Sequence, residues 1–211
     1  SGKSTWIKKI LQLREKIFKN QPRRVVYIYS EKSHFVEELY QEKLIDKAIR
    51  QLPTTYEKLE EIVAPFVKEG VILIVDDGLS QLHGYLPKIF EEFTSKNNCS
   101  VFFVSQSIFV EDKNFIRLSN NCHYIVFMAN RRNTARIRAL AQQVKPCNQA
   151  FINNSFVDAT KKKRLASSSP QKYGFGYFIL EFNLQSPEVL MCRTNIFPDE
   201  VEPITLYLES D

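Results

Sequence analysis

Residues 71–77 read Val71-Ile72-Leu73-Ile74-Val75-Asp76-Asp77, an unbroken run of branched aliphatic residues followed by two acids. A strand with one solvated face alternates apolar and polar residues, whereas an unbroken apolar run is typical of a strand buried on both faces. Such strands belong to parallel sheets that helices cover on both sides. The two acids then lie at the carboxyl end of the strand, where open parallel sheets bind their ligands. The stretch therefore predicts an α/β fold with a ligand site at this strand end.

Apolar periodicity on either side of this stretch alternates between strand and helix. Strands are predicted over residues 25–29, 71–75, 101–104 and 124–128, and helices over residues 3–19, 33–50, 54–68, 84–95, 134–143 and 148–158. We expect the four strands to form one mostly parallel sheet with helices on both faces. Residues 175–182 and 189–193 are expected to form a C-terminal pair of strands. Because no linker or internal repeat interrupts the pattern, we predict a single domain over residues 1–211.

The chain opens on Ser1-Gly2-Lys3-Ser4-Thr5, directly before the first predicted helix. A P-loop has the pattern Gly-x-x-x-x-Gly-Lys-Ser/Thr: glycine lets the backbone wrap a phosphate, lysine reaches the γ-phosphate, and the hydroxyl holds Mg²⁺. Gly2, Lys3, Ser4 and Thr5 fit its second half, so we assign them to ATP binding, and Ser4 also to Mg²⁺. The first glycine and the strand before it would then precede residue 1. A flexible Gly-Lys-Ser at a helix start is the alternative interpretation.

Polar side chains at two strand ends complete the predicted site. Asp76 is expected in the Mg²⁺ shell, and Asp77 is expected to orient or deprotonate the attacking water, with a cap on the following helix as its alternative role. Gln106 follows the next strand, where it is placed to sense the γ-phosphate or to hold that water. Its alternative role is a hydrogen bond at the strand end with no part in catalysis. Together with the N-terminal residues, these positions predict ATP hydrolysis.

Motifs in the second half of the chain extend this pattern to a known family. They are Val104-Ser105-Gln106-Ser107-Ile108-Phe109 and residues 116–124, 127–133, 140–144, 173–177 and 192–198. Taken with the P-loop half and the acid pair, they spread over nearly the whole chain. The chain resembles the A32-like genome-packaging ATPases of the FtsK–HerA group, which poxvirus-like viruses and Maverick/Polinton elements carry. The resemblance implies a three-layer, RecA/FtsK-like P-loop NTPase fold. It also implies a multimeric, ring-shaped motor that moves double-stranded DNA into a preformed capsid.

The resemblance further points to an arginine that acts on the nucleotide of a neighbouring subunit. Such a cation stabilises the charge that develops on the transferred phosphoryl group. Arg132 matches the family arginine, with Arg131 and Arg117 as further candidates, and contact with DNA phosphates or with solvent is the alternative. Residues 130–133 read Asn-Arg-Arg-Asn where the family has Asn-Pro-Arg-Asp, and residues 140–143 read Leu-Ala-Gln-Gln where it has Leu-Ala-Arg-Gln. These departures bear on the arginine and not on the fold.

Charge is distributed unevenly along the chain, whose formal net charge is +5. Residues 117–172 carry 11 basic residues and one acid, whereas residues 173–211 carry one basic residue and seven acids. The basic segment predicts an anionic partner, and the family makes that partner double-stranded DNA, bound without sequence preference. Within the segment, the tetrad Lys161-Lys162-Lys163-Arg164 has three interpretations: contact with the DNA backbone, a nuclear-import signal, or a solvated loop.

Composition narrows the class of protein and its compartment. Hydrophobic residues make up 44% and charged residues 25%, as in ordinary globular proteins, and no apolar run approaches the ~20 residues of a membrane span. Four scattered cysteines, Cys99, Cys122, Cys147 and Cys192, lack zinc-ligand spacing and predict free thiols in a reducing, intracellular compartment. The family adds the host nucleus, a cytoplasmic viral factory or the virion as locations, and capsid or portal proteins as partners.

Three functions stay open at this point. The first is an ATP-driven translocase that packages viral or virus-like genomes. The second is a relic of a mobile element that binds nucleotide or DNA without catalysis; a missing upstream strand and glycine would favour it. The third is a conjugation or chromosome-segregation pump, which shares the chemistry and differs in its partner proteins.

Overall fold

The computed structural model describes residues 2–30, 34–76, 84–105, 113–129, 134–161, 176–183, 185–200 and 202–209. Two compact units account for the chain: residues 4–121, and residues 122–211 together with residues 1–3. The single domain over residues 1–211 stays a prediction. Within the described ranges, no helix combines the length and apolar character needed to cross a bilayer.

The first unit alternates helices with strands. Its elements are α1 (Lys3–Gln12), α2 (Arg14–Ile17), β1 (Arg24–Tyr29), α3 (His34–Gln41), β2 (Lys47–Arg50), α4 (Tyr56–Val67), β3 (Val71–Asp76), α5 (Leu86–Lys88), a π-helical stretch (Ile89–Phe93), α6 (Thr94–Lys96), β4 (Cys99–Val104) and α7 (Lys113–Asn120). Helices therefore occur where the periodicity predicted them near residues 3–19, 54–68 and 84–95. Thr55 caps α4 by accepting a hydrogen bond from the Lys58 backbone N–H.

Four strands of this unit form a parallel sheet in the order β2-β1-β3-β4. In β3, residues 71–75 are each at most 1% exposed, which confirms that this strand is buried on both faces. Gly70, with φ of +75°, precedes it in the left-handed conformation that ends many helices. The unbroken apolar run therefore occupies an inner strand of a parallel sheet, as predicted.

Strand β2 corrects the helix predicted over residues 33–50. The helix ends at Gln41, Lys43 takes a positive φ of 56°, and the chain then pairs with β1 in the register Val26↔Lys47. Three of the four residues in β2 are exposed, so the strand lacks the apolar run that marks an inner strand. Its apolar residues continue the helical period of α3 by chance, which is why periodicity alone assigned them to the helix.

The second unit contains an antiparallel sheet flanked by helices. Its elements are β5 (Tyr124–Met128), α8 (Thr134–Val144), a 3₁₀ turn (Pro146–Asn148), α9 (Gln149–Ala159), β6 (Tyr177–Glu181), a second 3₁₀ turn (Glu188–Leu190), β7 (Cys192–Thr194) and β8 (Thr205–Leu206). The strand order is β5-β6-β7-β8, with every pair antiparallel. Gly176 leads into β6 beside the end of α9, because a Cβ there would lie 2.8 Å from the Ala159 carbonyl oxygen.

This sheet corrects two predictions. Residues 124–128 are not a fourth strand of the parallel sheet, since β5 pairs antiparallel with β6 in the register Tyr124↔Glu181. The predicted C-terminal pair exists as β6 and β7, but β7 begins only at Cys192 because residues 188–190 form a 3₁₀ turn, and β5 and β8 extend the pair to four strands. An apolar run specifies a strand without specifying its neighbour, so the sequence could not assign β5 to a sheet. The fold is thus α/β, with one parallel and one antiparallel sheet.

Candidate functional site

The first turn of α1 carries the residues assigned to nucleotide binding. Gly2 is buried with φ of +83°, a conformation that glycine adopts at little cost, and the helix begins at Lys3. Ser4 and Thr5 are exposed, and the first turn contains no acidic residue. The opening N–H groups of a helix lack intrahelical acceptors and attract anions. The local geometry is therefore compatible with a phosphate at this position.

Packing fixes α1 against the parallel sheet. Trp6, Ile7, Ile10 and Leu11 form its buried side, and the Trp6 ring lies 6.4 Å from the ring of Phe102 in β4. On the other side, Lys8 Nζ forms ion pairs with Glu38 of α3 at 2.5 Å and with Glu42, the residue after that helix, at 2.6 Å. Only four residues separate the end of β1 from the start of α3, so α3 begins beside the carboxyl edge of the sheet. The second turn of α1 is thus joined to the second turn of α3.

Asp76 lies at the carboxyl end of β3, between the ends of β1 and β4 in the register Tyr29↔Asp76↔Val104. Asp76 is half-buried, whereas the five residues before it in β3 are fully buried. A carboxylate at this place is what the sequence predicted. The structure therefore confirms the position of Asp76 at the strand end, while its role as a metal ligand stays a prediction.

A tyrosine that the sequence did not single out holds this carboxylate. The Tyr27 hydroxyl donates a hydrogen bond to Asp76 Oδ2 at 2.6 Å, from the neighbouring strand β1. Burial, and then the Asp76 charge, raise the pKa of Tyr27 well above its ordinary range, so this hydroxyl stays protonated. The only sequence signal was a polar hydroxyl within an apolar strand that pairs with the acidic one. Pairing between strands is not visible in sequence, so the contact could not be predicted.

Several predicted residues lie outside the described part of the chain. They are Asp77, Gln106, Arg131, Arg132 and residues 162–164 of the basic tetrad. The predicted site is described for Gly2, Lys3, Ser4, Thr5 and Asp76. Of these, Ser4, Thr5 and Asp76 belong to the same compact unit. The roles of the water-orienting acid, the sensor and the trans-acting arginine stay predictions.

The described basic residues of 117–172 divide into paired and unpaired groups. Arg117 donates to both carboxylate oxygens of Glu91, at 3.1 and 3.0 Å. Lys145 pairs with Glu188 and Glu209, and Lys161 pairs with Asp158 at 2.8 Å.

Helix α8 carries the unpaired group, since no ion pair joins Arg136 or Arg138 to an acidic side chain among the described residues. The Arg138 side chain is exposed and that of Arg136 is half-buried. These two arginines are the described positions best suited to an anionic partner. Arg117, by contrast, is held within its own unit, which weakens it as a trans-acting candidate.

The cysteines and the acidic side chains decide which thiol and metal chemistry the described residues offer. All four cysteines are free, as predicted, and burial raises the pKa of Cys99 to about 12 and of Cys122 to about 11. Among the described residues, no three His, Cys, Asp or Glu side chains gather around one point as a metal centre. A Mg²⁺ ion bound with nucleotide needs no such cluster, because it is held by one or two protein oxygens, phosphates and water. A hydroxyl at Ser4 and a carboxylate at Asp76 are of the kind that Mg²⁺ prefers.

Comparisons with protein families, with curated proteins and with solved structures gave no match for this chain.

Proposed function

We propose that this protein is a Mg²⁺-dependent ATP hydrolase that translocates double-stranded DNA and packages viral or virus-like genomes. One observation carries the proposal. Asp76 lies at the carboxyl end of a fully buried inner strand of a parallel sheet, and the helix packed on that sheet opens on Gly2-Lys3-Ser4. This is the combination of strand-end acid and phosphate-binding helix start that P-loop ATPases use.

The residues present fit a Mg²⁺–nucleotide. Gly2 provides a left-handed backbone, Lys3 a cation and α1 a first turn free of acidic side chains. Ser4 and Asp76 would hold the metal, which when bound neutralises charge on the β- and γ-phosphates. The ion pair of Lys8 with Glu38 of α3, a helix that begins beside the carboxyl edge, supports a position of the first turn near that edge. Asp77 would orient the attacking water, and Gln106 would sense the γ-phosphate.

The proposed DNA partner rests on charge. The excess of basic residues over 117–172 would contact phosphates without reading bases. Arg136 and Arg138 on α8 are the described candidates for these contacts, and Lys162, Lys163 and Arg164 are candidates from the sequence. Ring assembly, a trans-acting Arg132, a capsid or portal partner, and a location in the host nucleus, the viral factory or the virion come from the family resemblance.

The decisive experiment is ATP hydrolysis by the natural full-length protein, with and without double-stranded DNA, over a series of salt concentrations. We expect hydrolysis that requires Mg²⁺ and that DNA stimulates, with stimulation falling steeply as salt rises. Lys3→Ala should reduce hydrolysis by roughly 10²-fold or more, as for other lost electrostatic contacts to a transition state. Lys9→Ala, which changes a lysine of the same helix away from its first turn, is the matched control.

Two results would contradict the proposal. If the wild type hydrolyses ATP no faster than a folded Lys3→Ala variant, the protein is not an ATPase, and a relic that only binds nucleotide or DNA is favoured. If DNA does not change the rate of hydrolysis at any salt concentration, the DNA-translocating function is excluded. A conjugation or segregation pump would pass both tests and would be recognised by its partner proteins.

A further inference from the structure

The register of the parallel sheet brings Tyr27 and Asp76 to the same face. Tyr27 pairs with Ile74, and Tyr29 pairs with Asp76, so Tyr27 lies two residues before the position opposite the acid on the adjacent strand. Side chains two residues apart on a strand share a face. From there the Tyr27 ring reaches toward the carboxyl edge, and its hydroxyl meets Asp76 Oδ2 at 2.6 Å. This distance is in the range of a charge-assisted O–H···O⁻ bond.

The core holds Tyr27 in place. Its residue is 1% exposed, and its ring packs against Phe35 of α3 at 6.4 Å with an interplanar angle of 69°. Strands β2 and β3 flank its backbone, with Ala48 and Ile74 as the register partners. Packing and the flanking strands therefore set the position of the donor. The acceptor carboxylate belongs to a half-buried residue at the end of its strand.

We propose that Tyr27 is a positioning residue that fixes the Asp76 carboxylate in the orientation in which it holds the Mg²⁺ of a bound nucleotide. The proposal rests on the proposed function. A hydrogen bond to one carboxylate oxygen restricts rotation of the group and leaves lone pairs on both oxygens for a hydrated metal ion. Partners of this kind orient metal ligands in proteins, and their loss weakens metal affinity or activity by about 10- to 100-fold.

A purely structural role for the same bond is the competing explanation, since a buried hydroxyl always needs an acceptor. The molecule offers a matched control for that role. Tyr177 is also buried, and its hydroxyl donates to Glu200 Oε2 at 2.8 Å in the antiparallel sheet. Replacing either tyrosine by phenylalanine removes one hydroxyl and one bond to a carboxylate while keeping the ring; Tyr177→Phe also removes the acceptor of the Ile196 N–H. Only Tyr27→Phe should change how the protein responds to Mg²⁺.

The test is the affinity of the natural full-length protein for the fluorescent nucleotide mant-ATP, titrated once with excess Mg²⁺ and once with EDTA. Tyr27→Phe should reduce the affinity gained from Mg²⁺ by about 10-fold and leave the affinity in EDTA unchanged. Tyr177→Phe should match the wild type in both titrations. In an Asp76→Asn background, Tyr27→Phe should have no further effect on the Mg²⁺ gain, because the carboxylate that it positions is gone.

The outcomes separate this inference from the proposed function. If Lys3→Ala abolishes nucleotide binding but Tyr27→Phe keeps the wild-type Mg²⁺ gain, the positioning role is wrong and the nucleotide site stands. If Tyr27→Phe weakens both titrations equally, or still acts in the Asp76→Asn background, its role is structural and the inference is overturned. If the wild type binds no mant-ATP in either condition, the proposed function fails and the inference fails with it.

Discussion

Two buried tyrosines each donate a hydrogen bond to a carboxylate, one in each unit of this protein, and the two pairs differ in what surrounds them. Tyr177 and Glu200 belong to a closed local network, because Glu200 Oε2 also accepts from the Phe197 N–H at 2.9 Å and the Tyr177 oxygen accepts from the Ile196 N–H at 2.8 Å. Tyr27 instead joins two neighbouring parallel strands at their carboxyl edge. The same bond thus closes a turn in one unit and supports a strand end in the other.

The comparison shows that residue type alone does not identify a functional carboxylate. Both tyrosines are at most 3% exposed, and burial is the first cause that raises the pKa of each. What distinguishes Asp76 is topology, since it ends a fully buried inner strand beside the ends of two neighbours. Ligand sites of open parallel sheets occur at such ends, and antiparallel turns have no equivalent preference. Function is therefore expected at Asp76 and structural stability at Glu200.

The largest expected effect comes from neutralising each carboxylate in turn. Asp76→Asn should reduce Mg²⁺-dependent ATP hydrolysis by roughly 10²-fold or more, because the metal loses a charged ligand. Glu200→Gln should leave hydrolysis within about twofold of wild type but reduce the free energy of unfolding by about 1.5–3 kcal/mol, the range for hydrogen bonds to charged groups. Steady-state kinetics and urea denaturation on both variants measure the two effects. A loss of activity at unchanged stability in Glu200→Gln would contradict the assignment of function to Asp76 and of stability to Glu200.

The same contrast explains how far the sequence could predict this molecule. Residues 71–77 specify an inner strand with acids at its end, because five consecutive aliphatic side chains are stable only when both faces are covered. Helix α4 was equally predictable, with a capping Thr55 before an amphipathic stretch. In these elements the local pattern and the final environment agree.

Other features depend on which strands pair, and pairing was not visible in the sequence. β2 is a short, exposed strand without an apolar run, and it is recognised as a strand only by its pairing with β1. β5 has an apolar run that suits either kind of sheet, so its antiparallel neighbour β6 could not be predicted. The Tyr27–Asp76 bond also needs a specific register, because a slip by one residue would place the tyrosine on the opposite face. Local patterns predicted most of the elements and the strand-end acid, whereas β2, the neighbour of β5 and the Tyr27–Asp76 bond depend on which strands pair.

The next largest effect concerns DNA, whose proposed contacts lie on α8 of the second unit. Arg136→Gln combined with Arg138→Gln should weaken binding to double-stranded DNA by about 10-fold near 100 mM salt. The slope of log K against log salt should also become shallower, by the amount expected for the loss of up to about two phosphate contacts. The control is Arg117→Gln, which removes an arginine already held by Glu91 in the first unit. Fluorescence anisotropy with labelled duplexes of two unrelated sequences measures both. A larger effect of Arg117→Gln would contradict the placement of DNA on α8.

The smallest expected effect tests what the two tyrosine pairs share. Burial raises the pKa of Tyr27 and of Tyr177 above the ordinary value of about 10, so each phenol keeps its proton longer in the folded state than in the unfolded state. Their stability contribution is therefore fully present below about pH 10 and is lost as the pH rises beyond it. Each tyrosine should contribute at most about 1.4 kcal/mol per pH unit to this loss.

Urea denaturation between pH 9 and 11 measures that loss, and Tyr27→Phe and Tyr177→Phe should each make it shallower by a similar amount. Tyr40→Phe is the control, because Tyr40 is 59% exposed and its phenol is solvated in both states. Equal effects of the two buried variants would show that burial governs the titration of both phenols. The difference between the pairs would then lie wholly in what each carboxylate does. A slope that only Tyr177→Phe changes would mean that Tyr27 is more accessible to solvent than its packing indicates, and the fixed donor invoked for Asp76 would lose its physical basis.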